Sequence, residues 1–91
     1  SGPITPRVKA EILIRQRRQH LVQRFREWEI RKSDEWGSAV RCLRYAMSKA
    51  KPDQVERYSE LWHALPVWEW YHEILATGTD EEKFYLYQRG L

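Results

Sequence analysis

Residues 36–56 read WGSAVRCLRYAMSKAKPDQVE. Trp36, Val40, Leu43, Met47 and Ala50 recur there at steps of four, three, four and three. Only an α-helix brings such a series onto one face. Ser33-Asp34 supplies a cap before it, and Asp34 and Glu35 at the start with Lys49 and Lys51 at the end suit the helix dipole. A helix over 34–50 follows, and Pro52 stops it. Asp53-Gln54-Val55-Glu56 then has the form of a capping box. It opens a third helix whose buried side is Val55, Tyr58, Leu61, Trp62 and Leu65, ended by Pro66.

The same reasoning extends in both directions. Upstream, Thr5 as N-cap and Pro6 at the first helical position start a long helix that runs without Gly or Pro to about Lys32. At 100° per residue Ala10, Ile14, Leu21, Phe25 and Trp28 fall within an arc of about 60°, a narrow apolar stripe. Val8, Ile12 and Ile30 point to nearly the opposite side, with Gln19 and Gln23 between them. Both ends of this helix are therefore sandwiched, or a second chain packs on its back. Downstream, Pro66 opens a fourth helix with Val67, Trp70, Tyr71 and Ile74 inward and Gly78 as its stop. Thr79-Asp80-Glu81-Glu82 is a second capping box, beginning a short last helix with Phe84, Tyr85, Leu86 and Tyr87, closed by Gly90. No alternating strand, repeat or low-complexity tract appears. The expected fold is a single small all-α domain over 5–91, an irregular bundle of four to five helices, with residues 1–4 a leader or tag remnant.

Ninety-one residues support one core and no roomy interior site. Cys42 is the only cysteine, so no internal disulfide forms. It stands one step from the apolar stripe of the second helix and reads as a half-buried inert thiol. No apolar run approaches 18 residues and no secretory signal is present, which points away from a membrane and toward an intracellular, cytoplasmic or nuclear, setting. The net charge of +3 conceals a gradient. Residues 7–32 hold nine Lys/Arg against three Glu, and residues 65–91 hold two against five Asp/Glu. Such asymmetry implies a polyanionic partner or pairing between the two ends.

The first helix carries most of that charge. Arg17, Arg24 and Arg31 lie seven apart with His20 beside them, Arg15 and Arg26 form a line on the other flank of the stripe, and Arg18 borders it. Planar, permanently charged guanidinium groups suit phosphate, and such rows can follow a DNA or RNA backbone without reading sequence. The bland alternative is a solvated helix whose arginines pair with Glu27, Glu29 and the acidic tail. A helix-turn-helix does not fit, because its recognition helix would hold one Arg against Asp53, Glu56 and Glu60.

Glu60-Leu61-Trp62-His63 and Glu69-Trp70-Tyr71-His72 repeat the Glu-x-x-His spacing of di-iron bundles. They stand only nine residues apart across Pro66, and Glu69, His72 and Glu73 occupy a polar, solvated side, so no metal or other cofactor is expected. Arg15-x₄-His20 and Arg57-x₅-His63 resemble, over those few residues, the Arg-x₄₋₆-His ribonuclease motif of all-helical HEPN domains. The polar residue that belongs just after the Arg is Gln16 in one and Tyr58 in the other. The resemblance implies a His general base and an Arg phosphate clamp across a dimer cleft, which makes a small ribonuclease the enzymatic outsider. Around Pro66, Trp62, Trp68, Trp70 and Tyr71 spread over more than one helical face, so exposed Trp anchors for a partner compete with a largely buried fourth helix.

The expected function is therefore a non-enzymatic binding module with no small-molecule substrate. Its leading form binds nucleic-acid phosphates through Arg15, Arg17, Arg18, Arg24, Arg26 and Arg31. Its alternative docks an acidic protein surface, or a second copy of the chain as a homodimer, through Ile12, Ile30, Trp68 and Trp70.

Overall fold

A computed structural model describes residues 4–32 and 37–88. They form five α-helices: α1 (Pro6–Arg31), α2 (Gly37–Lys49), α3 (Pro52–Leu61), α4 (Val67–Thr77) and α5 (Asp80–Gln88). No strand occurs among the described residues, and the fold is the small all-α bundle expected. The expected caps at Ser33-Asp34, the placing of Glu35 and Trp36, and the stop at Gly90 lie outside the described residues.

The local signals explain most boundaries. Thr5 caps α1 by accepting the Val8 N–H at 3.2 Å. α5 begins with a reciprocal box: Thr79 N–H donates to Glu82 Oε1 at 2.8 Å and Glu82 N–H to Thr79 Oγ1 at 3.1 Å. α3 departs from expectation. Its N-cap is Lys51 rather than Asp53, because Pro52 has the φ of a first helical residue and pulls the start forward. Gln54, now three residues past the cap, accepts the Lys51 N–H at 2.9 Å. α3 also stops at Leu61, so Trp62 and Leu65 reach the core from the connecting turn. Gly78 ends α4 with φ at −73°, an ordinary value. The glycine is needed for space: a Cβ there would lie 2.5 Å from the Ile74 carbonyl oxygen.

α2 is the hub. It lies mainly against α1 and packs on α5 and α4 as well. Its stripe of Val40, Leu43 and Met47 is fully buried, and Ala39, Cys42, Ala46 and Ala50 are buried beside it. Cys42 is thus a core residue rather than half-buried, because α2 is packed by α1, α4 and α5 together. Leu21 and Phe25 of α1, Val55 and Tyr58 of α3, Trp70 and Ile74 of α4, and Leu86 of α5 complete the interior. Each large side chain so sealed contributes roughly 1.5–3 kcal/mol of transfer free energy.

Aromatic rings join the helices. Trp70 stands edge-on to Phe25 (5.3 Å between centroids, 78°) and to Tyr58 (5.7 Å, 79°). Trp62 closes the other side of Phe25 at 4.8 Å, and Trp28 meets both Phe25 and Trp62 at 5.6 Å. Of the four consecutive apolar residues of α5, only Leu86 enters the core. Phe84 and Tyr87 are exposed, and Tyr85 instead packs at a tilt against Tyr45 of α2 and donates to its hydroxyl at 3.0 Å.

Two polar clusters are built into this frame. Gln54 Nε2 donates to the Thr77 carbonyl at 2.7 Å, and the Tyr58 hydroxyl donates to Glu82 Oε2 at 3.4 Å, so the fully buried Glu82 side chain serves a cap and a core contact together. At the far end of α1, Glu29 accepts from Arg41 at 3.0 Å and Arg44 at 2.9 Å. Burial alone would raise the Glu29 carboxyl, but the two guanidinium groups outweigh it and hold it below the usual carboxylate range.

Glu82→Ala removes both functions, and thermal melts should show a loss of about 1–3 kcal/mol. Glu82→Gln keeps an acceptor for the Thr79 N–H and should cost less than Glu82→Ala; equal losses would deny the box its role. The lowered Glu29 pKa gives stability that is present above the unfolded value near ~4.3 and is lost as pH falls through the folded value. The stability gap between wild type and Glu29→Gln should therefore be widest near neutrality and shrink in melts at about pH 3, and a gap constant with pH would refute the linkage.

Candidate functional site

α1 is the longest element, about 39 Å at 1.5 Å per residue, within a molecule 49 Å in its longest dimension. Only its second half is sealed by other helices. Its buried residues are Leu21 and Phe25, with Ile14, Val22 and Trp28 packed at the margin. Everything on the opposite side of this helix faces solvent.

That outer face carries Arg15, Gln19, Gln23 and Arg26 within an arc of about 80°. All four are exposed. Arg15 and Arg26 have no carboxylate partner among the described residues. Eleven residues part them, roughly 16 Å along the axis. Gln23 is tied only loosely, donating to Glu27 at 3.5 Å. Ile12 and Ile30 bracket the strip at either end, 38% and 70% exposed. The face is thus one of donors, with an isoleucine beyond each arginine.

The inner arginines are more committed. Arg17 Nη1 lies 3.5 Å from Glu56 of α3, and Arg24 Nη1 lies 3.6 Å from Glu27. Arg18 donates to the Ser48 carbonyl at 3.1 Å, holding α1 against the end of α2. Arg31 is exposed and unpaired among the described residues. The six arginines expected to act together therefore divide: Arg15, Arg26 and Arg31 stand open, while Arg17, Arg18 and Arg24 are partly spent on the fold.

The acidic end of the chain does not answer them. Among the described residues no ion pair joins α1 to Asp80, Glu81 or Glu82. Glu82 is buried in its cap, and α1's carboxylate neighbours come from α3 and from α1 itself. Glu29, expected to neutralise α1, pairs instead with Arg41 and Arg44, two residues the sequence reading leaves without a role.

The two tryptophans grouped as partner anchors also part company. Trp68 is 52% exposed beside the exposed His72. Trp70 is fully buried and is corrected to a core residue, because its position on α4 points it between Phe25 and Tyr58.

Among the described residues no three His, Cys, Asp or Glu side chains converge as a metal site would require. Of the two Arg–His spacings, Arg57 is paired with Glu73 on α4. His20 and His63 are exposed. No described helix is long and apolar enough to cross a membrane. Comparison with family models, with curated proteins and with solved structures finds no match to this chain.

Trp70→Ala should cost about 3–5 kcal/mol, most of the stability of a domain this small, whereas Trp68→Ala should stay within roughly 0.5 kcal/mol of wild type. Urea unfolding of the two variants checks this; comparable losses would mean Trp68 is also structural.

Proposed function

We propose that the chain is a non-enzymatic module that binds the phosphate backbone of DNA or RNA through the outer face of α1. The observation that carries this reading is the pair Arg15 and Arg26, exposed on one helical face and without carboxylate partners among the described residues. The strip between them offers amide donors at the exposed Gln19 and Gln23. The roughly 16 Å of helix axis between the arginines corresponds to about five base-pair rises of 3.4 Å along a duplex axis. Guanidinium groups free of carboxylates gain most from a phosphate, since no existing pair has to be broken. Arg17 and Arg24 contribute less, each having a glutamate already beside it. Contacts of this kind position a helix on a backbone and carry no sequence information.

A second reading, docking of an acidic protein on the same strip, draws on the exposure of Ile12 and Ile30. Salt separates the two, because apolar docking survives salt that abolishes phosphate contacts. Fluorescence anisotropy with labelled single- and double-stranded oligonucleotides should show binding at low salt with a linear fall of log K against log salt. Arg15→Gln with Arg26→Gln should flatten that slope by about 2 and weaken binding at least about tenfold. Arg17→Gln should do markedly less. Absence of binding to either oligonucleotide at low salt, or equal effects of Arg17 and Arg15, would sink the proposal.

A further inference from the structure

The apolar stripe of α1 runs on past the helices that cover it. Leu21 and Phe25 are sealed, Ile14 is half-buried, and Ala10 one turn earlier is exposed. Arg7, Ala10, Glu11, Ile14 and Pro52 line a shallow, largely apolar groove of about 280 Å³ on this side. Val8 and Leu13 are exposed as well, on other faces of the same segment. A core stripe without a cover is a surface made for another helix.

The charges on this overhang indicate which helix. Arg7 and Glu11 stand one turn apart, 3.5 Å from each other, with side chains 90% and 63% exposed. So exposed a pair contributes little to its own chain. We propose that the overhang is a dimer interface, on which a second copy of the chain lays its own overhang antiparallel. A two-fold axis beside Lys9, midway between Arg7 and Glu11, sets Arg7 of each copy opposite Glu11 of the other. The same axis sets Ile4 opposite Ile14. A two-fold interface must be self-complementary, and this arrangement makes the four charges so. A parallel arrangement would instead set Arg7 on Arg7 and Glu11 on Glu11.

Residues 4–14 extend roughly 15 Å, and in this register most of each bundle lies past the N-terminal end of the other copy's α1. Arg26 lies more than three turns beyond the overhang and stays uncovered, whereas Arg15, one turn after Glu11, stands at the edge of the contact. An overlap this short falls below the roughly 1,200 Å² of a stable interface, which makes the dimer weak and reversible.

Sedimentation velocity on the chain, over a concentration series reaching the high-micromolar range, tests this. Wild type should pass from monomer to dimer. Arg7→Glu or Glu11→Arg alone should weaken dimerisation about tenfold by placing like charges opposite each other, and the double swap R7E/E11R should restore it. Ala10→Glu, at an exposed site where folding is not at risk, should leave a monomer by setting a charge in the groove. A wild type that remains monomeric, single swaps without effect, or a double swap that fails to rescue would each overturn the proposal. Oligonucleotide binding by the Ala10→Glu monomer reports on the other reading separately.

Discussion

Trp70, Phe25 and Tyr58 meet edge-to-face at centroid distances of 5.3 and 5.7 Å, and the rest of the bundle is arranged around that contact. The three rings come from α4, α1 and α3, so one aromatic wedge fixes three helices at once. Edge-to-face pairs have a preferred geometry as well as a large buried area, which makes them orienting and not merely adhesive. Trp62 and Trp28 extend the wedge to the surface from the turn after α3 and from the end of α1. α2 supplies the small and branched side chains that fill the space beneath, and α5 closes it with Leu86.

Fixing α1 at Phe25 has a consequence for its other end. The helix is about 39 Å long and the wedge grips its second half, so its first three turns extend past the bundle. Arg18 on the Ser48 carbonyl and Arg17 near Glu56 brace it at the point where it leaves α2 and α3. Beyond that brace the inner side of α1 is a groove in want of a cover, and its outer side is open along its whole length. The two faces are suited to different partners. The inner one is apolar with a self-complementary charge pair, and the outer one is a line of donors.

Several carboxylates are engaged at junctions between helices. Glu82 is locked beneath Thr79 and Tyr58, Glu73 holds Arg57, and Glu29 holds Arg41 and Arg44. Each of these carboxylates is used where it secures a helix junction. Among the described residues Arg15 and Arg26 are left exposed with no carboxylate beside them.

Helix periodicity, the Thr5 and Thr79 caps and the proline positions were enough to read five helices and most of the core from the amino-acid order alone, because those signals act within one or two turns. The basic character of α1 was legible in the same way. Where two local signals competed, at Pro52 against Asp53, the stiffer one won, since a fixed ring costs no entropy to place. What depended on partners distant in the chain was not legible. Whether Trp68 was covered, whether Cys42 was buried, and which arginines met a carboxylate were decided by helix packing. A helical wheel gives the direction of a side chain and not what stands opposite it. Only the tertiary arrangement placed Glu56 beside Arg17 and left Arg15 and Arg26 in water.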